Sequence, residues 1–524
     1  MRMITTRKHY KYLLLLLTAV LLSIVILCGC SSDSRKDSHA DLSKCTDLNS
    51  SEYTIGVMNG TVNGPIVEET LPEANVSYFN SEIDMLTALQ TGKVDAIIGD
   101  QLKWYYYNRQ LGDKLRVFDD YLQPYIFGFI FNKSNSDKTL LNQMNQFIEK
   151  IRNDGTYDEI NNNWIGDDGK AVMTVDTDSL PATNGTIKVA TTGTSPPFSY
   201  IENGKTVGFD IDLIARFCKE YGYGLELVTM SFDGIIPAIS SGKCDIGANE
   251  IAITEERTKS VDFSIEYYEA GTTAAMWNPD AETDVGFFEG LKESLYKTFV
   301  TEKRYMLFVS GIGATLLITI LSAFFGTLLG FLIYMMCRGG SRIANTVTNV
   351  CVRIIQMLPA VVLLMILFYI VFARASVSGI FVSVVAFSMT FAAAVFGMLK
   401  SSINAIDRGQ TEAAYALGFS NLRTFFKIVL PQAMVYFLPA YKSELISLIK
   451  ATAIVGYIAV QDLTRVGDIV RSRTYEAFFP LISIALIYFA LAGLLITFAG
   501  RLEFRFDPKR RKKEDILKGI KTDD

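Results

Sequence analysis

Met306–Cys337 reads MLFVSGIGATLLITILSAFFGTLLGFLIYMMC and carries no charged residue over its whole length. About 20 apolar residues in a helix cross the hydrocarbon core of a bilayer, so this stretch assigns the part of the chain around it to a membrane. Working outward, Ile354–Ala373, Ala375–Leu399 and Ala477–Gly500 are also uncharged and long enough to span. A fifth span, about Val435 to Val460, carries Lys442, Glu444 and Lys450. These ionisable groups fit either an aqueous path through protein or snorkelling from a helix end. Five spans that start outside finish inside. That puts Arg338, Arg342, Arg408, Arg423, Lys427 and the basic tail Asp507–Lys513 on the positively biased inner side, while Arg465, Arg471 and Arg473 run against the bias. Phe287–Tyr305 mixes aromatics with charges and is expected to lie along the outer interface.

The rest of the chain is different in texture. The 524 residues are 49% apolar and 20% charged, with a mean hydropathy of +0.24, a balance that fits a hybrid of water-soluble and lipid-soluble parts. The net charge of −5 supplies no basic field for nucleic acid, which is excluded as a partner. Seven scattered cysteines without CxxC pairs and two histidines give no metal-ligand spacing, and no cofactor is indicated.

The start has a basic region (Arg2, Arg7, Lys8, Lys11), an uncharged run Leu13–Leu27 and then Cys28-Gly29-Cys30. That pattern fits either an export signal with processing or an uncleaved anchor, and both put the residues after it outside the cytoplasm. Residues 31–51 are polar and are expected to act as a tether. From Tyr53 to about Pro279, short β-branched runs such as Tyr53–Val57, Asp95–Ile98 and Ile187–Ala190 alternate with helix-like stretches, the pattern of an α/β fold. A second polar stretch, 167–186, splits this region into two lobes. Asn203-Gly204-Lys205-Thr206 has the end of a phosphate loop, but Ser199 replaces the required first glycine, so no ATPase is encoded.

Three sets of motifs carry a resemblance to known families. Glu412-Ala413-Ala414, with Gly418 four residues on and Leu430-Pro431 closing the segment, resembles the coupling loop of ABC import permeases, and 300–505 is similar to their polar-amino-acid branch. The branch's Arg-Gly-Thr-Pro is here Gln356-Met-Leu-Pro359, and Phe396-Gly397 stands where a carboxylate is common. Ser195-Pro-Pro-Phe198, Gly208-Phe-Asp-Ile-Asp212, Gly242-Lys-Cys-Asp245 and Ile253-Thr-Glu-Glu-Arg257 resemble the first lobe of an amino-acid-binding protein; Gly60-Thr61, Gly92-Lys-Val-Asp95, Asp100 and Asp154-Gly-Thr-Tyr-Asp158 resemble its second lobe. Cys30 matches the lipidated residue of a bacterial lipoprotein signal. In that family of binding proteins the first lobe comes first, whereas here it comes last. The resemblance therefore implies a circular permutation, the alternative being two separate truncated lobes.

The implied fold is a two-lobed α/β periplasmic-binding-protein-like domain of type II followed by an all-α membrane domain of five transmembrane helices. The expected boundaries are a signal over 1–30, the tether 31–51, lobe two with its return helices over 52–166, a linker 167–186, lobe one over 187–279, a connector 280–304, the permease 305–501 and a basic cytoplasmic tail 502–524. The implied function is import of a polar amino acid, with a separate ATPase subunit, a second permease copy as a homodimer, and membrane lipid as partners. The chain itself is not expected to be an enzyme. A ligand-gated channel or a sensor is the alternative.

By the same resemblance, Arg257 clamps the ligand α-carboxylate through two parallel hydrogen bonds, with Thr61 and the Gly60 backbone as the second contact. Asp100 receives the α-ammonium, and Phe232 packs on the side chain. Ser195 stands where the family has a facing aromatic. Glu250 is an acid where a small neutral residue is usual. If unpaired in the cleft it favours lysine, arginine or ornithine; if it faces solvent or pairs with a nearby Lys or Arg, it does not. The loop Glu412, Ala413, Ala414, Gly418 and Pro431 is implied to couple to the ATPase.

Overall fold

The computed structural model describes residues 42–506 apart from 167–170, 279–286, 341, 374, 376 and 477. The signal, Cys30 and the tail beyond 506 lie outside the described residues.

The strands of the first half are β1 (Thr54–Met58), β2 (Asn75–Phe79), β3 (Ala96–Asp100), β4 (Leu115–Val117), β5 (Gln123–Phe127), β6 (Ile130–Asn132), β7 (Thr186–Thr191), β8 (Thr194–Ser195), β9 (Ser199–Glu202), β10 (Lys205–Val207), β11 (Gly224–Thr229), β12 (Ile246–Gly247), β13 (Val261–Phe263) and β14 (Tyr268–Trp277). One large sheet runs β2-β1-β3-β14-β4, with β5 also on β14; a second runs β11-β7-β12-β6-β13; and a small third runs β10-β9-β8. β1 is parallel to β2 and β3, and β11 to β7, as βα units require. β3 is buried at every position, which suits the middle of a sheet covered on both faces.

Each of the two larger sheets borrows a strand across the lobe boundary. β6 inserts between β12 and β13 of lobe one, and β14 inserts between β3 and β4 of lobe two. The expected lobe one boundary at 279 is therefore corrected: residues 268–277 belong to the lobe two sheet. The physical reason is that β14 supplies the antiparallel partner of β3 from Thr272 to Met276 and covers an edge that β3 would otherwise expose. The lobes are thus joined by two short crossovers, after β5 and after β13.

The helices Thr139–Asn153 and Thr156–Trp164 come after lobe two in sequence but pack on lobe one. Met144, Phe147, Ile148, Ile160 and Trp164 share a core with Ile187, Phe209 and Phe217. Trp164 Nε1 donates to Asp212 Oδ2 at 3.1 Å, and its ring stands edge-on to Tyr200. The tether also ends earlier than expected. Residues 42–51 fold back on lobe two, because Leu42, Cys45 and Leu48 recur every three residues and bury one apolar side, with Cys45 N donating to Asp120.

The remaining residues are helical. Among the described residues three helices are long and apolar enough to cross a membrane, Thr301–Arg338, Gly379–Asn404 and Phe478–Arg501, or up to five if each of two bent pairs counts as one span. The single span expected over Ile354–Ala373 is instead two helices, Arg342–Met357 and Ala360–Val371, bent by 103°. Pro359 sits at the break; it donates no backbone hydrogen bond and turns the preceding residue away from helical geometry. Gly326 and Gly330 let the first long helix approach Gly379–Asn404 closely. A Cβ at Gly330 would lie 2.6 Å from the Ala392 carbonyl, the small-residue contact of membrane helices.

Lobe one rests on this helical part through one continuous apolar core. Met230, Ile235 and Ile239 pack with Phe368, Tyr369, Val455 and Ile458. Gln461 Nε2 reaches Thr229 Oγ1 at 3.0 Å, and Lys243 Nζ reaches the Ala375 carbonyl at 2.7 Å.

Candidate binding cleft and coupling loop

Asp100 ends β3 and caps the helix Gln101–Leu111, its Oδ1 accepting from Lys103 N at 3.0 Å. Its Oδ2 is buried without a partner. Burial raises this carboxyl to about 6, only partly offset by the Lys103 N–H and ammonium. A buried acceptor of this kind costs free energy until a donor reaches it. A ligand ammonium is such a donor.

Arg257 lies in the short helix Glu255–Thr258, capped by Thr254 Oγ1. Its Nη1 donates to the Ala252 carbonyl at 2.8 Å and its Nη2 to the Gly60 carbonyl at 2.7 Å, so one guanidinium touches both lobes. Gly60 has φ +74, a backbone that side chains rarely adopt, and a Cβ there would meet Asp233 Oδ1 at 2.8 Å. Thr61 donates its hydroxyl to the Met58 carbonyl at 2.8 Å, so that hydrogen is already used and a carboxylate contact at Thr61 falls to its backbone N–H.

Asp100, Thr61, Ser195, Phe232, Glu250 and Arg257 line one cavity of about 90 Å³ between the lobes. Gly60 lines the wider groove beside it. The seven residues singled out from sequence are therefore brought together.

Glu250 faces the cleft and is paired with a nearby lysine, which is the second of the two alternatives read from the sequence. Lys103 Nζ lies 2.5 Å from Glu250 and 2.5 Å from Glu82, and 2.8 Å from Ser195 Oγ. Ser195 Oγ in turn donates to Glu250. Burial raises the Glu250 carboxyl, against the pull of the Lys103 ammonium. Burial also opposes the charge on Lys103, but the two carboxylates prevail and hold its pKa above the ordinary value. Ser195, which removes the aromatic sandwich, thus makes room for this triad. The cationic preference loses its stated basis, since the acid already has its cation.

Glu82, Lys103, Arg465 and Asp468 also line the cavity and were not singled out from sequence. Lys103 had a signal: it stands three residues after Asp100, one helical turn on, hence beside it. Glu82 and the two residues from the helix Leu463–Thr474 had none.

Of the residues expected to form a coupling loop, Glu412, Ala413 and Ala414 lie in the helix Arg408–Ala416, capped by Asp407. Ala414 is buried, whereas Glu412, Ala413 and Gly418 are not buried by this chain. Gly418 has φ +79, the left-handed end expected of a glycine after a helix. Tyr415, Leu417 and Leu422 stand exposed around it, and Pro431 opens the helix Leu430–Ala451.

The family of bacterial extracellular solute-binding proteins, family 3, matches residues 187–453, just over half the chain. The arginine transport system permease protein ArtQ of Bacillus subtilis is 33% identical over 195 residues, covering 37% of this chain and 89% of the relative. The chain belongs to that family and, through its permease part, to the amino-acid ABC transporter permeases. The L-cystine transport system permease protein TcyL of Bacillus subtilis is 31% identical over 207 residues, 38% of this chain and 84% of the relative. A crystal structure of an amino acid ABC transporter with histidines is 31% identical, covering 43% of this chain and all of that one with a TM-score of 0.36. The chain is thus a membrane protein that fuses a binding part to a permease part of the polar amino-acid ABC transporters. Its relatives are permeases and binding proteins, and ATP hydrolysis belongs to separate subunits.

Proposed function

We propose that the chain captures a polar amino acid as a zwitterion between its lobes and passes it through its own permease helices into the cell. The observation that carries this reading is the pairing of Asp100 from lobe two with Arg257 from lobe one in a single cavity. Arg257 takes the α-carboxylate together with the Thr61 and Gly60 backbone, Asp100 takes the α-ammonium at its unpartnered oxygen, and Phe232 walls the side chain. Closure about the two crossovers brings the two ends of the ligand's charge under control of different lobes.

Several finer readings belong to the same proposal. The lobes are of type II and circularly permuted; the packing of 139–164 on lobe one and the exchanged strands β6 and β14 support this. The two bent helix pairs count as spans, making five, with the binding part on the extracytoplasmic face. The pairing of Arg471 and Arg473 with lobe carboxylates supports that orientation and explains why basic residues stand on the outer side. The permease works as a homodimer in membrane lipid, Cys30 carries the lipid anchor, and the exposed loop around Glu412–Gly418 docks on the ATPase. A channel or a sensor has no specific observation in its favour.

The test is uptake into proteoliposomes that hold the full chain with an amino-acid ABC ATPase. ATP-dependent accumulation of at least one polar amino acid is expected. Failure with all twenty and ornithine, with the ATPase bound, would overturn the reading.

A further inference from the structure

We propose that the permease helix Leu463–Thr474 completes the ligand cavity, with Arg465 and Asp468 acting as specificity-determining residues of the binding step. This rests on the amino-acid reading of the cleft.

Arg465 and Asp468 line the same cavity as Asp100, Phe232, Glu250 and Arg257. Arg465 Nη2 donates to the carbonyls of Thr192 at 2.6 Å and Met230 at 2.9 Å, both in lobe one. Its Nε is buried and unpartnered. Asp468 has Arg471 Nη1 at 3.4 Å. One cation and one anion from the permease therefore stand at the cavity wall, beside Thr192, Thr194 and Ser231.

Their placement is enforced rather than incidental. Asp462 caps the helix by accepting from Thr464 N and Arg465 N. Further along, Arg473 reaches Glu202 of lobe one at 2.6 Å, and Arg471 reaches Asp84 of lobe two at 2.6 Å. The Tyr475 carbonyl accepts from Gln90 of lobe two at 3.1 Å. One helix is thus fastened to both lobes at once, and Arg465 and Asp468 form part of the wall only while the lobes keep this relation.

A fixed charge in a partly dehydrated wall acts on a ligand side chain over several ångströms. Arg471 gives its short contact, 2.6 Å, to Asp84 and stands 3.4 Å from Asp468, so Asp468 is less fully neutralised than Glu250, which has Lys103 at 2.5 Å; Asp468 therefore favours a side-chain cation and Arg465 disfavours it. Removing each charge therefore moves selectivity in opposite directions, which a purely structural role does not do.

The experiment is calorimetric titration of the full chain in lipid nanodiscs with lysine, arginine, glutamine and glutamate. Asp468→Asn is expected to lower the ratio of cationic to neutral affinity about tenfold, and Arg465→Gln to raise it by a similar factor, with Asp468→Glu keeping the original ratio. A ratio unchanged within about twofold in both variants, or shifts in the same direction, would overturn the proposal. If the unsubstituted chain bound none of the twenty amino acids or ornithine, the reading of the cleft itself would fall, a distinguishable result.

Discussion

Replacing Asp100 with Asn probes the ammonium end of the cleft with little change of shape. The amide oxygen can still accept from Lys103 N and keep the helix cap, while the charge is lost. Truncating one partner of a buried charge pair costs about 2–5 kcal/mol of binding, about 30-fold to several-thousand-fold in affinity. The pH dependence gives a second, independent measure. Burial raises the free carboxyl to about 6, and an ammonium pairs with the ionised form, so binding below pH 6 must release a proton. Affinity of the unsubstituted chain is then lower by about twofold at pH 6 and about tenfold at pH 5 than at pH 7.5. Stability runs the other way. A carboxyl with a raised folded pKa contributes stability that is fully present below its unfolded value and is lost as pH rises through about 6. Asp100→Asn should therefore stabilise the lobe at pH 8, by up to about 3 kcal/mol. Titration calorimetry at pH 5, 6 and 7.5 in nanodiscs, with the amino acid that binds best, reads the binding terms. Affinity of the Asn variant within about threefold of the original at pH 7.5, or an original affinity equal at pH 5 and 7.5, would refute the reasoning.

Arg257→Ala should cost about 2–5 kcal/mol of amino-acid binding, measured by the same calorimetry in folded protein; an unchanged affinity would remove the carboxylate clamp. Lys103→Met leaves Glu250 and the partly buried Glu82 without their cation and should destabilise lobe two against denaturant by about 3–5 kcal/mol at pH 9. The loss should shrink toward pH 6, where Glu250, raised by burial and without Lys103 to hold its charge, takes up a proton; tryptophan fluorescence tracks the transition, and a pH-independent loss would contradict the triad. Gly418→Val forces a β-branched residue into left-handed backbone, so ATP-driven uptake should vanish while ligand titration is unaffected. Retained uptake would exclude the loop's coupling role.

Much of this architecture is legible in the chain, and the exceptions have physical causes. The uncharged run from Met306 announces a helix because the bilayer demands length and apolarity in one continuous stretch. The run Ile354–Ala373 is equally uncharged, yet it folds as two helices because composition does not register the bend at Pro359. Arg257 and Asp100 stand in recognisable motifs, and the cleft gathers them. β14 escapes a local reading because sheet membership is decided by a partner, here β3, far away in sequence. Lys103 escapes it because its role depends on Glu82 and Glu250 arriving from other elements. Arg465 and Asp468 come from beyond a whole series of apolar helices, where no local pattern links them to the cleft.

The most direct test of the central claim is whether the full chain itself binds an amino acid through both lobes. Titration of nanodisc-embedded protein with the twenty amino acids and ornithine should find saturable binding of at least one polar member. That binding should be lost both in Arg257→Ala, from lobe one, and in Asp100→Asn, from lobe two. Binding that survives either substitution in folded protein, or the absence of binding by every member of the panel, would contradict the account.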